Sequence, residues 1–538
     1  MSRIIIIGAG HNGLVCALYL ARAGHTVTVY ERYKAPGGCT ITEEYYPGFK
    51  YNTGAIDLEG LLNSGVVGDL ELERHGLNIL KPNHLVSAWV GDDSIHLKRD
   101  LAVTLNHIEA KRGKAAAEEW KAYVKMSNAV MGLMGTFQHV KSPGIGGLSS
   151  MMASLGALGE ENEAIIQSML APAVSNIDHW ISDPVLRGAV MAYATHPQLP
   201  PWVPGTGALG FLLGSSHEGT GGRPVGGTGM FITALLNAAK EYPIEVKCNK
   251  GISKLVIKNG RITGIVTDDG EKDEADVVIS TIDIKRVAKM IDADVLPDVM
   301  EKGARRAHCG LFNVGEIKVD CALAKPPEFV GGDDDSARGS LRFLLHHKDR
   351  YIENFRRLNG GELPDNPPIM MVAPSMEDPT QAPEGKCTLW MSSFVPAKFY
   401  GDRKWPDMNE EAADRIIDSF ERFAPGTKKN ILHVHITGPS DWEDRTGNPA
   451  GNPNHLDMTV DQMFSFRPIA GIGYYRTPVK GFYLSGPGCH PGGGAHGMPG
   501  KLTASAVIDD LEGRPLKSRK PSLVGMAKAY FTMRKAMR

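Results

Sequence analysis

The chain has 538 residues, 42% of them apolar, and a formal charge of −2 at pH 7. That length exceeds what one hydrophobic core organises, so two or more lobes are expected, and the balanced charge offers no footprint for nucleic acid. The seven scattered cysteines form no CxxC or Cys/His ligand pattern, which speaks against a disulfide framework or a metal site and for a reducing compartment.

No apolar run is long enough to span a bilayer, and Ile4 to Ile7 lead straight into glycine rather than into a signal-peptide core. A cytoplasmic protein is the expectation. Arg3 to Ile7 reads as a short buried strand, closed at once by Gly8. Residues 13–23 carry Leu14, Val15, Leu18 and Ala21 at helical spacing, with Gly24 as the stop. Thr26 to Tyr30 is the next strand, and Glu31 stands at its end, followed by Arg32.

This is a β-α-β unit with G-x-G-x-x-G between strand and helix. Gly8 permits the tight turn, Gly10 lets the backbone approach a pyrophosphate, and Gly13 lets helix and strand pack closely. The helix start, with Asn12 in its first turn, offers unpaired N–H groups and a partial positive charge to the phosphates. Glu31 can accept hydrogen bonds from ribose hydroxyls and disfavours a 2′-phosphate. A second glycine pair follows in Gly37-Gly38-Cys39-Thr40, and Gly54 comes soon after. That pair brings a second backbone segment to the same dinucleotide, which points to FAD rather than NAD.

With these motifs the chain resembles the phytoene desaturase (carotenoid desaturase) branch of the flavin amine oxidase-like superfamily. Within that branch it is most similar to the group called pyridine nucleotide-disulfide oxidoreductase domain-containing protein 2. Three more segments carry the resemblance. One is PVGGTG at 224–229, followed by a helix over 230–241, strands near 244–247, 252–257 and 262–267, and an apolar run ending at Ser280. The second is DMTVDQMFSFRP at 457–468, and the third is GFYLSGPGCHPGGGAHGMPG at 481–500 with an apolar helix to Ile508.

The resemblance implies an α/β, two-dinucleotide-binding-domain, amine oxidase-like flavoprotein. Its Rossmann-type FAD domain is discontinuous, over 1–84, 221–284 and 456–513, and an α+β substrate domain fills 85–220 and 285–455, with a basic tail at 514–538. It places Val246 near the adenine. It places Gly486, Gly493, Gly494, Gly497 and Met498 at the flavin and ribityl-pyrophosphate, where a helix dipole can stabilise reduced flavin. Two departures stand out: relatives often carry Arg where this chain has Cys39, and some carry an acid where it has Gly486-Pro487-Gly488.

Met126, Met131, Met134, Met151, Met152, Met169 and Met191 crowd one stretch, read either as helical core or as a pliable tunnel wall. Residues 144–159 read as a loop or lid, and Asp333 to Asp335 as a solvated loop. Residues 410–424 read as an amphipathic helix capped by Asn409, and 312–323, 389–395 and 431–436 as strands flooring the substrate cavity. The basic tail suits a surface or oligomer-contact helix, or peripheral membrane contact.

For chemistry, His490 and His496 flank the glycine loop and are candidates for proton transfer, or only for bonding that loop. Asp57 is a candidate base or loop anchor, Cys489 a candidate flavin tether or buried thiol, and His217 and Arg223 are weaker candidates. No metal is expected. The leading expectation is a FAD-dependent dehydrogenase or desaturase of an apolar, isoprenoid- or lipid-like substrate, with oxygen or a quinone as acceptor. A flavin isomerase without net redox change and a non-catalytic prenyl- or lipid-binding protein are the alternatives.

Overall fold

The computed structural model describes residues 1–138, 161–218, 221–330 and 339–514. The stretch 144–159 with Met151 and Met152, the run Asp333 to Asp335, and the tail beyond Arg514 lie outside the described residues.

A five-stranded parallel sheet orders its strands as Phe482–Leu484, Val277–Ser280, Arg3–Ile7 (β1), Thr26–Tyr30 (β2) and Ile244–Lys247. Its strands therefore come from the start, the middle and the end of the chain. The four consecutive isoleucines of β1 follow from that central place. Ile4 and Ile6 join one apolar cluster, with the helices His11–Arg22 (α1) and Gly229–Ala239. Ile5 and Ile7 join another, with the three-stranded sheet Ile252–Lys258, Arg261–Thr267, Lys272–Glu274. A strand covered on both faces reads as a continuous apolar run.

The helix α1 begins two residues before the sequence reading, directly after Gly10, which caps it without a side chain. Its first-turn N–H groups are left for another acceptor. The helix Met498–Leu511 packs along α1 so closely that a Cβ on Gly500 would overlap the Asn12 carbonyl oxygen.

A seven-stranded sheet runs Ile431–Thr437, Val314–Leu323, Cys387–Pro396, Ile369–Val372, Leu341–Leu345, His84–Val90, Asp93–Lys98. Only the pair Leu341–Leu345 with His84–Val90 is parallel. One face buries Ile317, Val319, Leu389 and Met371 against the helix Trp405–Glu421. The other face presents Ala88, Phe343 and Trp390 to the helices Lys114–Gln138, Pro184–Thr195 and Thr206–Ser215. Met191 is buried in this second cluster, and Met126, Met131, Met134 and Met169 pack against it, so these five methionines are helical core.

The helix expected over 410–424 starts earlier, at Trp405, with Lys404 rather than Asn409 at its N-cap. Pro406 is tolerated in a first turn, and burial of Trp405 draws the start upstream. Asn409 sits inside the helix and donates to Asp441. Among the described residues no helix is long and apolar enough to cross a membrane.

Candidate functional site

A cavity of about 390 Å³ opens at the ends of β1 and β2. Gly8, Gly10, Asn12, Gly13, Glu31, Arg32, Gly37, Gly38 and Cys39 all line it. The local geometry explains each glycine. Gly8 has φ +99°, a Cβ on Gly13 would overlap the Gly8 carbonyl oxygen, and a Cβ on Gly10 would meet nothing within 4 Å, because Gly10 faces the cavity. The second glycine pair is drawn onto the first loop, with Gly37 N donating to Ala9 O at 3.0 Å. Thr40 stands just behind, its hydroxyl 3.2 Å from His11 Nδ1, and a Cβ on Gly54 would overlap the Cys39 carbonyl oxygen.

Glu31 is 9% exposed, and its two oxygens each accept a backbone N–H at 2.9 Å, from Ala9 and Tyr33. A carboxylate oxygen accepts more than one hydrogen bond, so both retain capacity toward the cavity. The far wall is supplied by Lys250, Asp268, Arg286, Arg445 and His455. Val246 does not line the cavity. It pairs with Val29 in the edge strand, and the wall is made by Lys250 to Ile252, a few residues on.

Two buried polar atoms on this wall, Asn12 Oδ1 and His455 Nδ1, have no hydrogen-bond partner among the described residues. Four cations line the cavity; Lys250 is paired with Asp269 and Glu271 and Arg445 with Glu43, which leaves Arg32 and Arg286 without a carboxylate in salt-bridge contact among the described residues. Orphaned polar groups, these two guanidinium groups and a helix N-terminus together fit a phosphate-bearing dinucleotide. Burial pushes His11 down to about 4 and His455 to about 3, so both are neutral at pH 7.

The loop between Leu484 and Met498 lies against the start of α1. Gly486 has φ +79°, and a Cβ there would overlap Thr281 O; one on Gly493 would overlap Asn454 Oδ1. Gly497, at φ +72°, caps the helix that Met498 begins. His496 Nε2 donates to Gly493 O at 3.1 Å, and its Nδ1 accepts Met498 N at 3.1 Å. Both ring nitrogens thus bond the loop itself, and a Cβ on Gly494 would crowd the same ring. His490 is 3% exposed, and its carbonyl accepts from Tyr475 Oη. Cys489 is buried, and burial pushes its thiol up to about 12, which leaves it neutral and a poor nucleophile.

Asp57 is held by the buried Arg223 guanidinium, with Nε–Oδ1 2.5 Å, and Arg223 also reaches Glu377 at 3.2 Å. That geometry is an anchor between the two lobes. His217 lies elsewhere, accepting from Trp120 Nε1 at the edge of the helical core.

Sequence reading missed a polar row on the seven-stranded sheet. Glu316, Lys318 and Asp320 alternate along Val314–Leu323 with Ile317, Val319 and Cys321, which face the opposite core. Their period of two was the available signal. Lys318 pairs with Glu316, donates to Ser392 Oγ at 3.1 Å and sits 4.3 Å over the Trp390 ring. Glu316 and Ser392 also line a second cavity, of about 20 Å³, walled by Phe343, Tyr351, Met370 and Phe394. Burial pushes the Cys39 thiol up to about 12, with Arg445 and Lys318 opposing the rise.

The family comparisons agree with this geometry. Residues 6–67 match an NAD(P)-binding Rossmann-like domain, and residues 206–505 match the flavin containing amine oxidoreductase family. The chain is 28% identical to pyridine nucleotide-disulfide oxidoreductase domain-containing protein 2 of Rattus norvegicus, over 94% of this chain and 93% of that one. It is 23% identical to the lycopene-forming phytoene desaturase of Pseudescherichia vulneris, over 95% of this chain and 100% of the other.

Among solved structures, a redesigned putrescine oxidase shares the fold at a TM-score of 0.63 and 13% identity, over 96% of this chain and 99% of its own. A CLA-producing fatty acid isomerase from P. acnes does so at 0.56 and 14%, over 94% and 98%. The cofactor is FAD and the protein is a flavin oxidoreductase: the chain belongs to the flavin containing amine oxidoreductase family.

Proposed function

We propose that this enzyme dehydrogenates or desaturates an apolar, isoprenoid- or lipid-like substrate and passes the electrons to oxygen or a quinone. The observation that carries the reading is the arrangement of two cavities. A polar, cation-rich one lies at the parallel sheet, and a small one walled by aromatic and aliphatic side chains lies at the helical lobe. Cys39 lines the first and Glu316 the second. Phytoene desaturases as full-length relatives support an apolar substrate.

In this reading the 8–13 loop and the start of α1 hold the pyrophosphate, and Glu31 accepts from the ribose hydroxyls. Gly37 and Gly38 close the second side, and the loop carrying Gly486, Gly493, Gly494 and Gly497 holds the flavin end. Bound FAD supplies hydride acceptance from a substrate C–H. The protein's own part is to aim that C–H and keep water out. His496 holds the loop, and Arg223, paired with Asp57, ties the cofactor lobe to Glu377 of the other.

Anaerobic mixing of the purified holoprotein with terpenes, carotenoids and fatty acids tests the proposal. Flavin bleaching by an apolar compound, reversed by oxygen or a quinone analogue, is the expected result. A flavin that stays oxidised across the panel counts against it. Likeness to a fatty acid isomerase favours a second reading, isomerisation without net redox change, which predicts turnover with no acceptor added. Vesicle sedimentation with and without residues 515–538 checks whether the tail brings the enzyme to lipid.

A further inference from the structure

Glu59 sits on a turn that two hydrogen bonds fix in place. Leu58 N donates to Gly222 O at 3.0 Å, and Lys501 Nζ donates to Ser64 O at 2.9 Å. Leu58 and Leu61 join the core of the cofactor lobe, which turns Glu59 outward. Its neighbour Gly60, at φ +73°, lies against His496: a Cβ there would stand 3.7 Å from His496 Cβ. The turn therefore backs the loop that carries Gly493, Gly494 and Gly497.

From the helical lobe, Tyr193 Oη donates to Glu59 Oε1 at 2.6 Å. Tyr193 lies on the helix Pro184–Thr195, is 9% exposed and meets the Phe343 ring edge-on. Among the described residues it is the one hydrogen-bond partner of Glu59, so Glu59 Oε2 keeps its full accepting capacity. A tie between the lobes does not need this acid, since Arg223 with Asp57 and Glu377 supplies one. Glu59 and His196, the C-cap of the same helix, are both exposed. The surrounding protein nonetheless desolvates the Glu59 carboxyl and raises it above the usual glutamate range; Tyr193 and His196 oppose the rise, and Asp57 adds to it. A side chain that solvent reaches and protein surrounds lines a cleft rather than a convex face.

We infer that Glu59 is the proton acceptor of the reaction, standing in a substrate cleft where the two lobes meet, with Tyr193 as its positioning residue. Loss of hydride from a saturated carbon makes the neighbouring C–H acidic. The hydride goes to bound FAD, the proton goes to the Glu59 carboxylate, and the electron pair of that second C–H bond becomes the new double bond. The substrate loses two electrons and FAD gains them. Tyr193 donates to the carboxylate and can accept from the protonated acid, so it holds the group in both states. A carboxyl raised toward working pH is a stronger base than an ordinary one. This inference rests on the apolar-substrate reading above and adds its proton acceptor.

Two experiments on the holoprotein test it. Dicyclohexylcarbodiimide, an apolar reagent, adds to protonated carboxyls in apolar surroundings. Peptide mass spectrometry should find it on Glu59, less as pH rises and less when a terpene, carotenoid or fatty acid from the panel is present. No label on Glu59, or label that no panel compound slows, overturns the inference. The second experiment follows anaerobic flavin bleaching, and deuterium uptake from heavy water into the panel compounds, in wild type, Glu59→Gln and Tyr193→Phe of unchanged flavin content and melting temperature. Glu59→Gln should slow bleaching about 100-fold or more while still binding the compound. The wild-type rate should rise with pH as Glu59 ionises. Glu59→Gln should lose that limb, and Tyr193→Phe should move it to higher pH, because a donor to the carboxylate is gone.

Bleaching of Glu59→Gln within about threefold of wild type, or a pH limb that persists in it, overturns the inference and leaves the dehydrogenase reading standing. Deuterium uptake without bleaching, absent in Glu59→Gln, supports the inference and sinks the dehydrogenase reading; uptake that persists in Glu59→Gln overturns both. With neither bleaching nor uptake the dehydrogenase reading fails, and labelling decides this one. Labelling needs no variant, so it also decides if a substitution unfolds the chain.

Discussion

Replacing Asp320 by Asn should stabilise the protein, by an amount that grows with pH. Asp320 is 1% exposed, and its Oδ2 has no hydrogen-bond partner among the described residues. Burial holds its carboxyl up to about 8, even with Lys318 pulling it down. In the unfolded chain the same group titrates near 4. Between those values the folded protein keeps a proton that the unfolded chain has released, so stability falls as pH rises and levels off above the folded value. Each pH unit in that window costs about 1.4 kcal/mol.

The cumulative cost is about 1.5 kcal/mol at pH 5 and about 4 kcal/mol at pH 7. Asn keeps the shape and does not titrate. For a chain of this length, the difference at pH 7 corresponds to about 3–4 °C in Tm. Thermal melts of the holoprotein and Asp320→Asn, followed by flavin fluorescence and circular dichroism from pH 5 to pH 8 at constant ionic strength, read the gap directly. A gap that is flat with pH, or a variant that melts below wild type at pH 8, refutes the reasoning.

Gly13→Ala should purify with little or no FAD, because its Cβ would overlap Gly8 O; the flavin-to-protein absorbance ratio reports this. Acid precipitation of the wild type should release all the flavin into the supernatant, since the Cys489 thiol is buried and neutral; a yellow pellet would contradict this. His496→Ala removes two loop hydrogen bonds and should cost about 1–3 kcal/mol of stability and weaken FAD retention. With whichever substrate bleaches the flavin, the shape of its pH–rate profile should stay that of wild type; a lost limb would instead assign His496 a proton-transfer role.

Much of the cofactor side was legible from residue order. The Gly8, Gly10 and Gly13 spacing, the acid at the end of β2 and the second glycine pair are local features, set by backbone conformations that few other residues adopt. Their positions in space follow from short-range geometry, so nine of the fourteen residues of that stretch that line the cavity could be read off directly. The core strand Arg3–Ile7 was equally plain, since burial on both faces leaves an unbroken apolar run.

What the chain order did not reveal is long-range. His455, Arg286 and Arg445 reach the cavity across hundreds of residues, and no spacing rule connects them to the glycine loop. The strands His84–Val90 and Leu341–Leu345 pair across a gap that no local pattern signals. The Glu316–Lys318 pair looked like ordinary alternation in a strand; only sheet register, which sets Lys318 opposite Ser392, and the facing helices make it a buried site. Sequence alone determined the glycine-loop wall of the large cavity, because that geometry is written in local backbone conformation. Tertiary structure decided which distant side chains complete the cavity wall and which strand residues become a buried polar pair, because side chains from separate strands acquire a shared environment only when the sheet assembles.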